Sequence, residues 1–263
     1  MSVKIGNIDL GEFPLLLAPM EDVSDPPFRY VCKQGGADMM YGSALLQDID
    51  KMVKMTEAVV KATHLPVTVK TRLGWDDNTK NVEEVAERLQ DIGIQALTIH
   101  GRTRAQLYKG EADWTLIREI KRNPRVKIPI FGNGDVDSVE KAAAWRMEYE
   151  VDGIMIGRAA IGYPWIFREI KHFFKTGEYL PGPTLDERII ACRTHLTKSI
   201  EWKGDKVGVF EMRRHYSNYF KGLPDFKQYR MMLVKEENIE TINQILDEVA
   251  EKYEHVAPFS EMA

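Results

Sequence analysis

The sequence has few cysteines and no long apolar run. Two cysteines, Cys32 and Cys192, occur among 263 residues, which is too few for a disulfide framework and is typical of a reducing cytoplasm. No stretch of about 18 or more apolar residues is present, so the sequence predicts no membrane span. The first residues, "MSVKIGNIDLGEFP", are too polar for a signal peptide. We therefore expect a globular cytoplasmic protein rather than a secreted or membrane protein.

Metal-ligand patterns are also lacking. The six histidines have no metal-ligand spacing, and no Cys/His cluster indicates a zinc site. We therefore expect no metal.

The charges are spread unevenly along the chain, although the net charge is only −4. Between residues 188 and 235, eleven Lys or Arg stand against four Asp or Glu, a balance of +7, and aromatic residues are interleaved with them. Residues 236–263 carry eight acidic residues against one lysine, a balance of −7. The basic block is either a solvated helix face or a surface that contacts the phosphates of a nucleic acid.

Short apolar runs alternate with helical patterns over the first 175 or so residues. This alternation indicates a parallel sheet covered by helices, in either a doubly wound sheet or a (β/α) barrel. Polar or glycine-rich residues end five of the six runs, which favours a barrel, and no G-x-G-x-x-G motif follows the first run. The runs are "LLLAPM" (15–20), "ADMMY" (37–41), "PVTVKTR" (66–72), "ALTIHG" (96–101), "IPIFGNGD" (128–135) and "GIMIGRA" (153–159).

The pattern becomes entirely helical after the segment "PGPTLDE" at 181–187. Its prolines and glycine indicate a linker, and Thr184 or Asp186 is a suitable N-cap. We predict helices at 185–203, 207–221 and 237–253. The predicted organisation is thus an α/β domain at 1–180, a TIM-type (β/α) barrel with about six recognisable strands, and a small all-helical domain at 185–255.

Two consecutive strand ends predict a phosphate site. Asn133, Gly134 and Asp135 follow one strand, and Gly157 and Arg158 follow the next. In barrels of this type the loops after the last two strands often hold a phosphate through backbone N–H groups, and an arginine adds a bidentate donor. Glycine at a turn is also explained by backbone geometry alone.

Cationic residues and a histidine end two further strands. Lys70 and Arg72 alternate on one face of a strand, and a lysine at a buried strand end is costly unless it meets an anion. His100 ends the next strand and is followed by Arg102 and Arg104. These residues predict a cationic barrel mouth that binds a phosphorylated cofactor or substrate. A sugar-phosphate aldolase or isomerase would satisfy this part, but it would leave the basic helical block unexplained.

Taken in order, several stretches resemble the FMN-dependent tRNA-dihydrouridine synthase family. They cover the chain nearly end to end. The stretches are "LAPMEDVSDPPFR" (17–29), "PVTVKTRLGW" (66–75), "LTIHGRTRAQLYKGEADW" (97–114), "IPIFGNGDV" (128–136) and "DGIMIGRAAIGYPWIF" (152–167).

The resemblance implies an FMN-binding barrel and a helical domain that cradles tRNA. It implies that NADPH reduces the flavin, which passes a hydride to C6 of a flipped-out uridine. The cofactor residues that it implies are Pro19, Met20, Lys70, His100, Asn133, Gly134, Asp135, Gly157 and Arg158. Lys70 and His100 would be the catalytic residues, and Arg72, Arg102, Arg104, Arg213 and Arg214 would contact the RNA. We further expect a monomer.

Two features of this family are absent from the sequence. One is a glutamine at the end of the family's third strand, which touches the flavin, and the other is an N-x-G-C-P loop after the fourth strand, whose cysteine protonates C5 of the uracil. We expect Cys32 and Cys192 to be structural, because a buried helix cysteine behaves as a small hydrophobe. A closed barrel of this type has eight strand–helix units, whereas the sequence shows six strands. The family pattern places the two missing units between Tyr41 and Gly42.

The gap leaves three interpretations open. The chain is an active tRNA-dihydrouridine synthase with another proton donor, a non-catalytic tRNA-binding remnant, or a flavin- or phosphate-binding barrel with other chemistry. Because unpaired strand edges would flank the gap, we also expect low stability.

Overall fold

The structure is a computed structural model that describes residues 2–20, 25–35, 39–40 and 48–255. The predicted junction between Tyr41 and Gly42 lies outside these residues. The chain divides into two compact units. The strand unit comprises Met1–Pro19 and Ala37–Gly157, and the helical unit comprises Met20–Gly36 and Arg158–Ala263. Residues 20–36 and 158–180 thus group with the helical unit, whereas the sequence places the boundary at 180–185, and the two-domain assignment stays a prediction.

Strands and helices alternate through the first part of the chain. The strands are β1 (Lys4–Ile5), β2 (Ile8–Asp9), β3 (Leu15–Leu17), β4 (Met39–Met40), β5 (Thr68–Arg72), β6 (Ala96–His100), β7 (Ile130–Asn133) and β8 (Gly153–Ile156). The helices are α1 (Pro26–Gln34), α2 (Ile49–Ala62), α3 (Val82–Asp91), α4 (Thr115–Arg122), α5 (Val139–Tyr149), α6 (Ile166–Thr176), α7 (Leu185–Lys203), α8 (Asp205–Tyr219), α9 (Lys227–Lys235) and α10 (Ile239–Lys252). A 3₁₀ helix at Arg158–Ala160 follows β8.

Six strands form one parallel sheet in the order β4-β3-β8-β7-β6-β5. Each of the six predicted runs contains one of these strands, so the α/β class and the strand count are confirmed. Within the described residues, β4 and β5 each pair with a single neighbour and end the sheet. The expected low stability, which rests on such edges, stays a prediction.

The antiparallel hairpin of β1 and β2 was not predicted, because its strands are only two residues long. The hairpin contributes Val3 and Ile5 to a buried cluster with Leu16, Phe131 and Met155. These three residues lie on neighbouring strands β3, β7 and β8. Apolar packing therefore fills this part of the sheet face, and the polar residues of the next section lie closer to the carboxyl ends of the strands.

Helical periodicity explains how α3 covers the sheet. Val82, Val85, Ala86 and Leu89 recur at helical spacing, and all four side chains are buried, as the sequence predicts. The helix ends shortly before Gly93, whose φ of +96° is a conformation that favours glycine.

The helical unit begins its main bundle at a capping box. The Thr184 hydroxyl accepts a hydrogen bond from the Glu187 amide, and the Glu187 carboxylate accepts one from the Thr184 amide. The helices predicted at 185–203, 207–221 and 237–253 correspond to α7, α8 and α10. Sequence reasoning missed α9, because its nine residues follow the proline-containing segment "GLPDF" and carry no clear apolar stripe.

Candidate active site

The strand register places the predicted polar residues on one face of the sheet. Lys70 of β5 pairs with Thr98 of β6, and Arg72 pairs with His100. His100 in turn pairs with Asn133 of β7. Directly paired residues of neighbouring strands point to the same face, so these five side chains share the face that carries Phe131 and Met155. Arg72, His100 and Asn133 end their strands, and Lys70 and Thr98 lie two residues before, so all five lie toward the carboxyl ends, where the sequence predicts a cationic mouth.

Lys70 brings an unpartnered positive charge to this mouth. Among the described residues, its Nζ atom has no hydrogen bond or ion pair. Burial, together with the positive charge of Arg72, lowers its pKa to about 8. Beside it, the buried hydroxyl of Thr98 also has no hydrogen-bond partner. A cation and an orphaned hydroxyl at paired positions fit an anionic, hydrogen-bonding ligand such as a flavin nucleotide.

His100 is a neutral group at neutral pH. Burial lowers its pKa to about 3, and the positive charges of Lys70, Arg72 and Arg102 lower it further than Asp135 raises it. Its imidazole lies against Gly134, where an added Cβ would come within 2.9 Å of Cδ2 and 3.1 Å of Nε2. Gly134 also has a φ of +118°. A side chain at this position would therefore displace the histidine ring as well as strain the turn.

Arg102 lies inside the loop rather than at the surface, since only 2% of the residue is exposed. Its guanidinium donates to both carboxylate oxygens of Asp135, at 2.8 Å and 2.6 Å. It also donates to the carbonyls of Lys109 and Gly110. Asp135 has a φ of +54°, and its carboxylate accepts a third hydrogen bond from the Ala112 amide at 2.8 Å.

This pairing changes the roles expected from the sequence. The guanidinium of Arg102 is ion-paired with Asp135 inside the protein, so we do not propose Arg102 as an RNA contact. The Asp135 carboxylate is likewise occupied, so any contact of this turn with a phosphate would come from backbone N–H groups. The amide of Asn133 is also internally bonded, because Nδ2 donates to the carbonyl of Met155 at 2.8 Å.

Arg72 shapes the loop that follows β6. Its Nη1 atom donates to the carbonyl of Thr103 at 2.9 Å and to that of Leu107 at 3.1 Å. Leu107 has a φ of +52°, which is rare for a branched side chain, and these bonds hold that backbone. Arg104 in the same loop is exposed, and its guanidinium lies 6.0 Å from the ring centroid of Trp75. Arg104 is thus the arginine of this loop that a ligand can reach.

The remaining predicted residues lie at other strand ends or in the helical unit. Pro19 follows β3, and Gly157 follows β8, which is the neighbour of both β3 and β7. Met20 and Arg158 begin segments of the helical unit, and Arg158 opens the 3₁₀ helix. The strand unit therefore brings together Lys70, Arg72, His100, Asn133, Gly134 and Asp135.

Arg213 and Arg214 lie on α8 within the helical unit. The Arg213 guanidinium is 5.1 Å from the ring centroid of Phe210, whose ring is 60% exposed, and 3.4 Å from Glu237. Arg214 lies 3.9 Å from Glu211. An exposed aromatic ring beside a guanidinium can stack on a nucleobase and approach its phosphate.

Both cysteines are free and fully buried in the helical unit. Cys32 lies on α1 and Cys192 on α7, and burial raises the pKa of each thiol far above its ordinary value. A buried thiol with a raised pKa is a structural residue, as the sequence predicts for both.

Sequence reasoning missed Thr98 and the partner of Arg102. The signal for Thr98 was present, because it stands two residues before His100 on β6 and so shares its face. The pairing of Arg102 with Asp135 has no local signal, since 33 residues separate them. Among the described residues, no group of three or more His, Cys, Asp or Glu is placed to hold a metal ion. No described helix is long and apolar enough to cross a membrane.

The fold and the site define an α/β protein with a parallel sheet, whose cationic strand ends fit an anionic cofactor. The dihydrouridine synthase family model matches residues 37–254. The chain is 46% identical to tRNA-dihydrouridine synthase B of Pseudomonas putida over 204 residues, which cover 78% of this chain and 58% of the relative. It is 42% identical to probable tRNA-dihydrouridine synthase 1 of Synechocystis over 222 residues, which cover 84% of this chain and 60% of the relative.

A third relative, probable tRNA-dihydrouridine synthase of Rickettsia conorii, is 43% identical over 72% of this chain and 56% of its own length. The chain therefore belongs to the dihydrouridine synthase family, whose members are flavin-dependent barrels. This membership confirms the predicted family and the TIM-type class. The chain spans less than two thirds of the length of these relatives.

Proposed function

We propose that this protein binds FMN in the strand unit and reduces uridine in tRNA to 5,6-dihydrouridine with NADPH as the reductant. Family membership over residues 37–254 is the observation that carries the proposal. The unpartnered Lys70 and the orphaned Thr98 hydroxyl support it, because they suit a ligand with several hydrogen-bonding atoms and a negative charge. We also propose that the protein acts in the cytoplasm and that it is a monomer.

The residues proposed to hold FMN lie at strand ends of the strand unit. Lys70 and His100 would contact the flavin, with Pro19 against its ring. The backbone around Asn133, Gly134, Asp135 and Gly157 would hold its phosphate, and the roles of Met20 and Arg158 stay predictions of the sequence. When bound, FMN supplies two-electron reduction of the uracil ring at C6. The shared sheet face of Lys70 and His100 supports this proposal, because both side chains would reach the same ligand.

Reduction at C6 also needs a proton at C5, and the family cysteine that supplies it is absent from this sequence. His100 is neutral at neutral pH and holds no proton that it gives up readily. The Nζ atom of Lys70 is protonated at neutral pH and has no hydrogen bond or ion pair among the described residues, so we propose it as the proton donor.

Each unit offers cations that could meet the RNA outside the flavin site. In the strand unit, the exposed Arg104 beside Trp75 would contact a phosphate. In the helical unit, Arg214 and the basic block at 188–235 would contact phosphates, with the half-buried Arg213 beside the exposed Phe210. Arg72 is half-buried and holds the loop, so its part in RNA binding is to orient Arg104.

A second candidate function is tRNA binding without catalysis, which the missing cysteine loop favours. The spectrum of the purified protein separates these functions. A yellow protein that NADPH bleaches without oxygen, and that shifts tRNA in a gel, supports the proposal. A colourless protein that shifts tRNA supports the second function, and a yellow protein that ignores tRNA indicates other flavin chemistry. Lys127→Ala, at an exposed site before the amino end of β7 and so away from the carboxyl ends of the strands, is the control for Lys70→Ala.

A further inference from the structure

The hydroxyl of Thr98 is buried without a hydrogen-bond partner in the part of the chain that the structure describes. Only 1% of the residue is exposed, and its Oγ1 atom neither donates nor accepts a hydrogen bond among these residues. A buried hydroxyl with no partner costs free energy, because it has lost its hydrogen bonds to water. Valine has the same branched shape and suits a strand equally well, so the fold does not need a hydroxyl here. A ligand would supply the missing partner.

Thr98 lies where the polar and the apolar parts of the sheet face meet. It pairs in register with Lys70 of β5 on one side and with Phe131 of β7 on the other. Along β6, Ala96 lies two residues before it, in the buried apolar cluster with Phe131, and His100 lies two residues after it. A ligand that reaches Thr98 therefore meets an ammonium group toward β5 and an aromatic ring toward β7.

We propose that the Thr98 hydroxyl donates a hydrogen bond to a ring carbonyl of bound FMN. This inference rests on the proposed function and adds a residue to its flavin site. The flavin ring is polar at its pyrimidine end, which carries two carbonyl groups, and apolar at the opposite, dimethylbenzene end. The polar end matches the pair of Thr98 and Lys70, because the hydroxyl and the ammonium group both donate hydrogen bonds.

The phosphate of FMN is a less suitable partner for this hydroxyl than the ring. The backbone groups proposed to hold the phosphate follow β7 and β8, whereas Thr98 lies within β6, two residues before its end. A phosphate is held best by several N–H donors at the ends of strands and helices. A single hydroxyl beside the Phe131 ring suits a neutral carbonyl of a planar ring system better.

The variant Thr98→Val tests this contact, because it removes the hydroxyl and keeps the shape of the side chain. The dissociation constant of FMN, measured by quenching of flavin fluorescence, should rise about threefold to tenfold, as expected for one lost hydrogen bond. The urea midpoint of the flavin-free protein should stay the same or rise, because the variant buries no unpaired hydroxyl. Thr98→Ser, which keeps a hydroxyl, should bind FMN more tightly than Thr98→Val.

Thr71→Val is the matched control for this substitution. Thr71 is a buried residue of β5 that pairs with Ile99, so it points to the opposite face of the sheet from Lys70. This variant should bind FMN as the unaltered protein does. The infrared spectrum of bound FMN gives a second readout. A carbonyl band should lie at a lower wavenumber in the unaltered protein than in Thr98→Val, because a hydrogen bond weakens the C=O bond.

The possible outcomes separate this inference from the proposed function. Equal FMN affinity in Thr98→Val and the unaltered protein would overturn the inference and leave the proposed function standing. A lower urea midpoint of the flavin-free variant would also overturn it, since the hydroxyl would then have a partner within the protein. Weaker binding with unchanged carbonyl bands would place the hydroxyl at another group of FMN, against the proposal. An unaltered protein that binds no FMN would refute the proposed function and this inference together.

Discussion

The guanidinium of Arg102 and the carboxylate of Asp135 form a bidentate ion pair inside the strand unit, at 2.8 Å and 2.6 Å. The pair ties the loop after β6 to the turn after β7. His100 begins one of these segments and Gly134 belongs to the other, so the ion pair fixes the surroundings of both. Its residues look like surface ligands in the sequence, but the structure makes them supports of the site.

Removing Arg102 should destabilise the fold strongly. In Arg102→Met the Asp135 carboxylate, whose side chain is only 14% exposed, loses its charged partner, which costs about 3 kcal/mol of unfolding free energy. Urea unfolding measures this loss. Arg104→Met is the matched control, because Arg104 is exposed, and it should cost less than about 1 kcal/mol. Equal losses in the two variants would show that the ion pair does not hold the loops.

Binding of FMN should weaken above pH 8. The Lys70 ammonium has a pKa of about 8 in the free protein, and only the charged form attracts the anionic cofactor. Affinity should therefore fall by up to about tenfold per pH unit as Lys70 loses its proton. Quenching of flavin fluorescence between pH 7 and 9.5 measures it. Lys70→Met should bind more weakly and lack this pH dependence, and an unchanged profile in the variant would assign the titration elsewhere.

The helical unit should lose stability in mild acid. Burial lowers the pKa of His215 to about 4 and that of His195 well below its ordinary value, and their rings lie 4.5 Å apart. Both are neutral when folded, but the unfolded chain binds protons below about pH 6.5. Stability is thus present above this pH and lost as the pH falls toward 4.

Protonation of His215 in the unfolded chain should remove about 2 kcal/mol of unfolding free energy between pH 7 and pH 5, and His195 should add to this loss. Around His215, Asp25 and Glu211 oppose this effect, whereas Arg214 and Lys203 strengthen it. Chemical unfolding at a series of pH values gives the slope of the unfolding free energy against pH. His215→Gln should flatten the slope even if it lowers stability at pH 7, and an unaltered slope would exclude His215 as a source.

Neither cysteine should react in the folded protein. Cys32 and Cys192 are buried and their thiol pKa values are raised, so the nucleophilic thiolate is scarce and inaccessible. Iodoacetamide should label both only after unfolding, as mass spectrometry can count. A thiol that reacts rapidly in the native state would contradict the structural role of that cysteine and reopen it as a proton donor.

Local patterns predicted much of the fold. Apolar runs indicated all six sheet strands, and the Thr184 and Glu187 capping box marked the start of α7, because both signals depend on neighbouring residues. Partners distant in sequence could not be predicted. Arg102 resembled the exposed Arg104 in a loop rich in cations, and only the tertiary structure shows that one of them is buried against Asp135. The predicted gap between Tyr41 and Gly42 lies outside the described residues, so it stays a prediction.

Formation of dihydrouridine is the most direct test of the proposed function. Unmodified tRNA is incubated with the purified chain, FMN and NADPH, and its nucleosides are analysed by mass spectrometry. We predict a uridine product heavier by two hydrogens at pH 7, which decreases as the pH rises through 8 and is lost in Lys70→Met but kept in Lys127→Ala. Bound FMN and bound tRNA without any dihydrouridine would contradict catalysis by this chain.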